Sequence, residues 1–166
     1  TLNKTEIISI NGVDLSLLNE QEMQNNIAHW IIKNVYNKST TKVVIICKNQ
    51  SIAVSLTMAL NYSEKEDVAV TITSHDAMIT EKINEFRRSD KLDIAVTINM
   101  YHFLSNIKIS DIVLLRKIPS EDAFSKALIN CTPPKAADPK IWDFSDNRKY
   151  FFEEMGVFRT ETLNLH

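Results

Sequence analysis

Four apolar runs set the rhythm of this chain: Lys42–Cys47 (KVVIIC), Val68–Thr73 (VAVTIT), Ile94–Ile98 (IAVTI) and Ile112–Leu115 (IVLL). Each is nearly continuous and rich in β-branched residues rather than alternating, as expected of strands covered on both faces of a parallel sheet. Between them the apolar period lengthens to that of a helix. Met23, Ile27, Trp30, Ile31, Asn34 and Val35 predict a helix from about Glu20 to Asn37, and Asn19 followed by Glu22 reads as a capping box. Ser51 is placed to cap a helix over Ile52–Asn61 that buries Ala53, Leu56, Met58 and Leu60. Ser74-His75-Asp76 turns the chain into a helix over Ala77–Arg88 with Met78, Ile79, Ile83 and Phe86 inward.

The flanks continue the pattern. Glu6–Ile10 reads as a short strand stopped by the Asn11–Gly12 turn signal. Downstream, Asn99–Ser110 is an irregular connection, Asp111–Arg116 a strand, and Ser120 the cap of a helix from Glu121 to about Asn130. Cys131–Lys140 carries Pro133, Pro134 and Pro139 and reads as an extended loop. Ile141–Phe144 is a short strand, and Asp146 caps a last helix from Arg148 to Met155 that ends at Gly156. Strands alternating with helices predict an α/β domain of three layers, with a mainly parallel sheet of about six strands and helices on both faces. Residues 1–156 form one domain on this reading, and 157–166 a peripheral tail.

A chain of 166 residues is long enough to bury a core as one domain. With 44% hydrophobic and 24% charged residues it has the composition of a globular protein. Glycine narrows the chemistry, because only Gly12 and Gly156 occur. Backbone cradles for phosphate need glycine where the chain must approach a ligand closely. Neither a Walker A sequence nor Gly-x-Gly-x-x-Gly is present, so nucleotide binding by this chain alone is not expected.

A net charge of −2 argues against a free-standing, non-specific nucleic-acid binder. Lys82, Arg87, Arg88 and Lys91 gather around one helix end and Arg116–Lys117 follow a strand, which reads as solvated surface charge. Cys47 and Cys131 share no CxxC or Cys/His pattern, so zinc is not expected and a reducing, cytoplasmic setting is. No apolar run nears the length of a membrane span and no signal peptide is visible. The start at Thr1 fits a domain cut from a longer chain.

Few residues suggest chemistry by themselves. His75, at a strand's carboxyl end, has no partners at ligand spacing and is read as part of a turn. Tyr101, His102 and Phe103 offer a stacking platform for bases or, alternatively, apolar filling. Asp93, Asp111 and Asp143 are read as lying at the wrong strand ends for an acidic pocket. A Rossmann-like enzyme with its site after Val44–Cys47 and Val68–Thr73 stays open as an alternative.

The order of strings adds a resemblance. KVVIICKNQSIAVSLTMAL resembles the strand and helix of motif IV, INEFRRSDKLDIAVTINM the helix and strand leading into motif V, and DIVLLRKIPSEDAFSKAL the strand and helix of motif VI. KIWDFSDNRKYFF is similar to the strand and helix that follow. Together, from Thr41 to Phe152, they resemble the second RecA-like domain of superfamily 2 helicases, nearest to the motor (R) subunit of type I restriction enzymes.

At the ten positions of motif V, where that group reads Asp-Met-Leu-Thr-Thr-Gly-Ile-Asp-Val-Pro, this chain runs from Asn99 to Lys108. Met100 is kept, and Ile107 is a close substitute. Asn99 and Asn106 replace acids, His102 and Phe103 replace threonines, and Leu104 replaces the glycine. At the motif VI positions stand Pro119, Lys126, Ile129, Asn130 and Pro133, with no arginine. The resemblance thus implies a P-loop NTPase-type fold with degenerate motifs and no catalytic residue.

By the same resemblance the domain alone holds no cofactor, while its parent uses ATP and Mg. Implied partners are an upstream Walker A-bearing RecA-like lobe, double-stranded DNA through the parent, and modification and specificity subunits. Lys48, Asn49, His75, Tyr101 and His102 are the candidates for nucleic-acid contact. A protein-interaction module that kept this fold but lost nucleotide and DNA binding is the alternative function.

Overall fold

The computed structural model describes residues 5–36, 42–99, 107–118, 139–148 and 156–165. Among the described residues seven strands lie in one sheet: β1 (Thr5–Asn11), β2 (Lys42–Ile46), β3 (Ala69–Thr71), β4 (Ile94–Thr97), β5 (Ile109–Leu114), β6 (Lys140–Asp143) and β7 (Gly156–Thr162). Their order is β3-β4-β2-β5-β6-β1-β7 and every pairing is parallel. A 3₁₀ turn (Leu15–Asn19) precedes α1 (Gln21–Asn34), and α2 (Gln50–Glu64) and α3 (Ile79–Arg88) follow in the next two crossovers.

Period-2 alternation divides the strands between two cores. Val43, Ile45, Val96, Val113 and Trp142 meet Ile27 and Ile31 of α1 and Leu56 and Leu60 of α2. Trp30 fastens α1 to β6, standing edge-on to Trp142 at 5.4 Å and to Phe144 at 5.3 Å. On the other face Val44, Ile46, Ala95, Ile112, Leu114 and Ile141 pack with Phe86 of α3. Chain steps toward the β3 edge therefore carry their helices on one face, and the return step to β4 carries α3 on the other. A uniform crossover hand demands that arrangement.

The α/β layering, the parallel sheet and helices on both faces agree with the sequence pattern; several local expectations do not. Asn19 is no capping residue, because Asp14 caps the preceding 3₁₀ turn through Ser16 and holds Asn19 inside it. Helix α1 starts behind Glu20 with no side-chain cap. Asn49, not Ser51, caps α2: its extended backbone aims Oδ1 at the Ile52 N–H, 2.9 Å away. Met58 is 68% exposed, since it lies two residues from both Leu56 and Leu60, about 200° round the helix. Met78 precedes the first helical residue and is exposed as well.

Residues expected as a tail supply a full edge strand, β7, in unbroken register with β1 from Thr5↔Gly156 to Asn11↔Thr162. Gly12 sits just beyond that ladder at φ +89°, where a side chain would run into the Leu163 carbonyl. The expected helix at 121–130 lies outside the described residues, as do the expected loop Cys131–Lys140 up to 138 and the expected helix Arg148–Met155 beyond Arg148, while Lys140, expected in the loop, opens β6.

Candidate functional site

In an all-parallel sheet every strand ends on one rim, and ligands of such folds sit there, where the winding changes sense. Both β2, whose neighbours β4 and β5 follow it in the chain, and β1, whose neighbours β6 and β7 do, meet that condition, and β2 is the one flanked by the sequence candidates. Directly after β2 come buried Cys47, whose thiol burial pushes up to about 12, and then exposed Lys48 and Asn49. Lys48 presents its side chain to solvent at the start of α2. Asn49 is committed through its carbonyl oxygen to capping that helix.

Beyond β3, Thr73 donates its N–H to Asp76 Oδ2 at 3.0 Å, and Lys82 reaches Asp76 Oδ1 at 2.8 Å and the Thr71 carbonyl at 3.3 Å. Burial raises the Asp76 pKa. The bonds from Lys82 and Thr73 and the charges of Lys82 and His75 outweigh it, leaving the carboxyl below its ordinary value. His75 is exposed and belongs to the turn, as expected. Asn99 is exposed just past β4.

The ends of β5 and β6 are tied by a buried knot that sequence reading missed. Asp143, 1% exposed, accepts from Ser145 N at 3.1 Å, Asn147 N at 2.7 Å and Asn147 Nδ2 at 2.9 Å. The fully buried Asn147 also donates to the Arg116 carbonyl at 3.0 Å and accepts from Ile118 N at 2.8 Å. Burial raises the Asp143 pKa above its ordinary value, with these hydrogen bonds opposing it. Asp143 thus stands at the carboxyl rim, contrary to expectation, but as a structural acceptor rather than part of an acidic pocket. An Asp four residues before an Asn, straddling a strand end, was the available signal.

Lys117 donates to the Asp146 carbonyl at 2.9 Å, and Arg116 Nε to the Lys117 carbonyl at 3.1 Å. The basic residues noted in the sequence are divided between the rims. Lys82 and Arg116–Lys117 are near the strand ends, whereas Arg87, Arg88 and Lys91 lie where α3 returns to the amino end of β4. That opposite rim is acidic: a groove of about 570 Å³ is lined by Tyr36, Glu66, Asp67, Asp90, Lys91 and Asp93. There the Tyr36 hydroxyl donates to Asp93 at 2.7 Å, and burial together with that carboxylate raises the Tyr36 pKa.

Of the five candidates for nucleic-acid contact, Lys48, Asn49 and His75 stand on the carboxyl rim, while Tyr101 and His102 lie outside the described residues. The motif VI positions from Pro119 to Pro133 lie outside them too. No group of three or more metal-ligating side chains occurs among the described residues. No described helix is long and apolar enough to cross a membrane.

No family model matches this chain, and no curated protein does. Solved structures do. A fragment of a putative HsdR subunit of a type I restriction enzyme from Vibrio vulnificus superposes on 98% of this chain at a TM-score of 0.70 and 14% identity, covering 37% of that chain. Domain 2 of the DEAD-box helicase Mss116p, bound to an RNA duplex, matches over 95% of this chain and 64% of its own, at 0.68 and 9% identity. The chain has the fold of the second RecA-like domain of superfamily 2 helicases. The C-terminal domain of the DEAD-box protein Dbp5 shares it over 96% of this chain and 91% of that one, at 0.69 and 8% identity. The RecA-like chain thus spans less than two thirds of the first two of these structures.

Proposed function

We propose that this domain is the second lobe of a DNA translocase of the type I restriction kind, and that it is catalytically silent by itself. The observation that carries the reading is the superposition of 98% of the chain on the HsdR fragment, set beside the sequence at the motif positions. An Asn99 in place of an acid supplies no charge, and a Leu104 in place of glycine blocks close backbone approach. No arginine stands at the motif VI positions, where such a residue is worth about 10³–10⁵ in rate.

On this reading the described rim residues do not hold a nucleoside triphosphate by themselves. Arg116 Nε and Lys117 Nζ are engaged with carbonyls, and Asn49 with its helix. ATP and Mg then belong to a Walker A-bearing lobe of the parent, and this domain forms the facing wall of the cleft. Lys48, the α2 amino terminus and His75 give that wall its phosphate-facing groups. Modification and specificity subunits complete the parent on this reading.

Two measurements test it. The purified chain hydrolyses ATP at background rate with or without double-stranded DNA, and clear DNA-stimulated turnover overturns the silent-lobe reading. In fluorescence anisotropy at low salt a short duplex binds weakly, and Lys48→Glu reduces the affinity several-fold. Duplex binding that is absent, or indifferent to Lys48→Glu, favours an interaction module that has lost nucleic acid.

A further inference from the structure

Away from that rim, the strand sequence expected as a tail has an outer edge with a pattern of its own. β7 pairs with β1 on one side and ends the described sheet on the other. Natural edges are usually blunted by proline, a bulge or repelling charge. β7 has no proline, and its ladder with β1 runs without a bulge over seven residues. Val157 is 55% exposed, and Arg159, Thr160 and Thr162 are exposed as well.

The direction of its free backbone groups follows from one hydrogen bond. Leu163 N donates to the Asn11 carbonyl at 2.8 Å, so residues 157, 159, 161 and 163 turn their N–H and C=O toward β1. Phe158, Thr160 and Thr162 therefore turn theirs outward. Side chains alternate independently: Leu163 packs on the α1 side of the sheet and Phe158 on the α3 side.

We propose that β7 is a self-association edge, where two copies of this chain pair their β7 strands antiparallel about Thr160 into one continuous sheet. In that register Thr160 faces Thr160, and Phe158 and Thr162 face each other twice. All are outward-pointing residues, giving about six N–H···O bonds. Arg159 then stands opposite Glu161 of the second copy, and Glu161 opposite its Arg159. Val157 stands opposite Leu163 on the same face.

Charge selects this register over its neighbours. Centring the pair on residue 159 sets arginine against arginine, and centring it on 161 sets glutamate against glutamate, which is destabilising across strands. Within one copy Arg159 reaches Glu6 of β1 at 3.3 Å and Glu161 at 3.5 Å, on the same face of the sheet, so pairing across the edge shares Arg159 between these carboxylates and that of the second copy.

Analytical ultracentrifugation of the chain tests this. The wild type shifts from 19.0 kDa toward twice that mass as concentration rises. Thr160→Pro removes an outward N–H that β1 does not use, and it abolishes the shift while the unfolding transition is kept. Arg159→Glu and Glu161→Arg are each monomeric alone, form a heterodimer when mixed one to one, and regain self-association when combined in one chain. If Arg159→Glu fails to fold beside Glu6, Glu161→Arg and Thr160→Pro decide. A wild type monomeric up to about 1 mM overturns the proposal. So does a dimer indifferent to these substitutions, and so does a mixture that associates no better than its components.

Discussion

The two halves of the carboxyl rim are built on opposite terms. At the ends of β5 and β6 the buried polar groups are closed on one another: Asp143 accepts three N–H bonds and Asn147 joins the Arg116 carbonyl to the Ile118 N–H. Across β3, β4 and the start of α2 the hydroxyls of Thr73 and Thr97, each 1% exposed, and the amide oxygen of Gln50 have no hydrogen-bond partner among the described residues. Buried polar groups are ordinarily satisfied, and a satisfied network fixes geometry. One half is therefore a clamp that sets where the chain leaves β5. The other holds hydrogen-bonding capacity the fold does not use, beside Lys48 and His75.

The clamp is the easiest half to break. Asn147→Ala strips the Ile118 N–H and the Arg116 carbonyl of their partner and takes a donor from Asp143, all in a buried setting. A loss of about 2–4 kcal/mol is expected from urea unfolding. A loss under about 1 kcal/mol would mean that water satisfies these groups and that the knot is not a clamp.

Two carboxylates sharpen the contrast by their sign. Asp143 is raised above its ordinary 3.8, so its contribution is greatest below that value and declines as pH rises through the folded pKa. Asp76 is lowered below 3.8, so its stabilisation is present above that value and is lost as pH falls through the folded pKa. Unfolding series between about pH 3 and pH 7 should show Asp76→Asn costing more as pH rises, by no more than about 1 kcal/mol. The penalty of Asp143→Asn should shrink over the same interval. Parallel slopes would contradict the assigned directions.

Asn49→Ala costs about 1 kcal/mol by removing the α2 cap, and Ser51→Ala, the expected cap, costs only a few tenths. Comparing the two by thermal unfolding decides between them.

How far the sequence was legible follows from what each signal measures. Runs such as KVVIIC report burial on both faces, a property of the strand itself, and β2, β4 and β5 lie within one or two residues of where they were expected. Caps were misplaced at Asn19 and Ser51 because a cap depends on the backbone angle of one residue, and Asn49 and Asp14 competed for the same work. β7 escaped notice because GVFRTET is a half-solvated edge with neither a buried run nor a strict alternation. The Asp143–Asn147 knot left only its local half in the sequence, an Asp four residues before an Asn, because its other partner, Arg116, lies some thirty residues away from Asn147. The carboxyl rim was legible as a place, since strand ends in a parallel sheet share one side, but its division into clamped and open halves was not.

The smallest expected effect probes the open half most directly. Thr97→Val replaces a buried hydroxyl that has no partner among the described residues by a methyl of nearly the same volume. Removing one member of a made hydrogen bond costs the desolvation of the orphaned group, about 1–3 kcal/mol, whereas removing a group that made none relieves that cost. Thr97→Val should therefore leave stability unchanged or raise it by up to about 1 kcal/mol. Thr57→Val, whose hydroxyl bonds the Ala53 carbonyl at 2.8 Å and meets Thr71 Oγ1 at 2.6 Å, should destabilise. Urea unfolding of the two variants side by side gives opposite signs if the rim beyond β4 holds unused hydrogen-bonding capacity, and the same sign if Thr97 is already engaged.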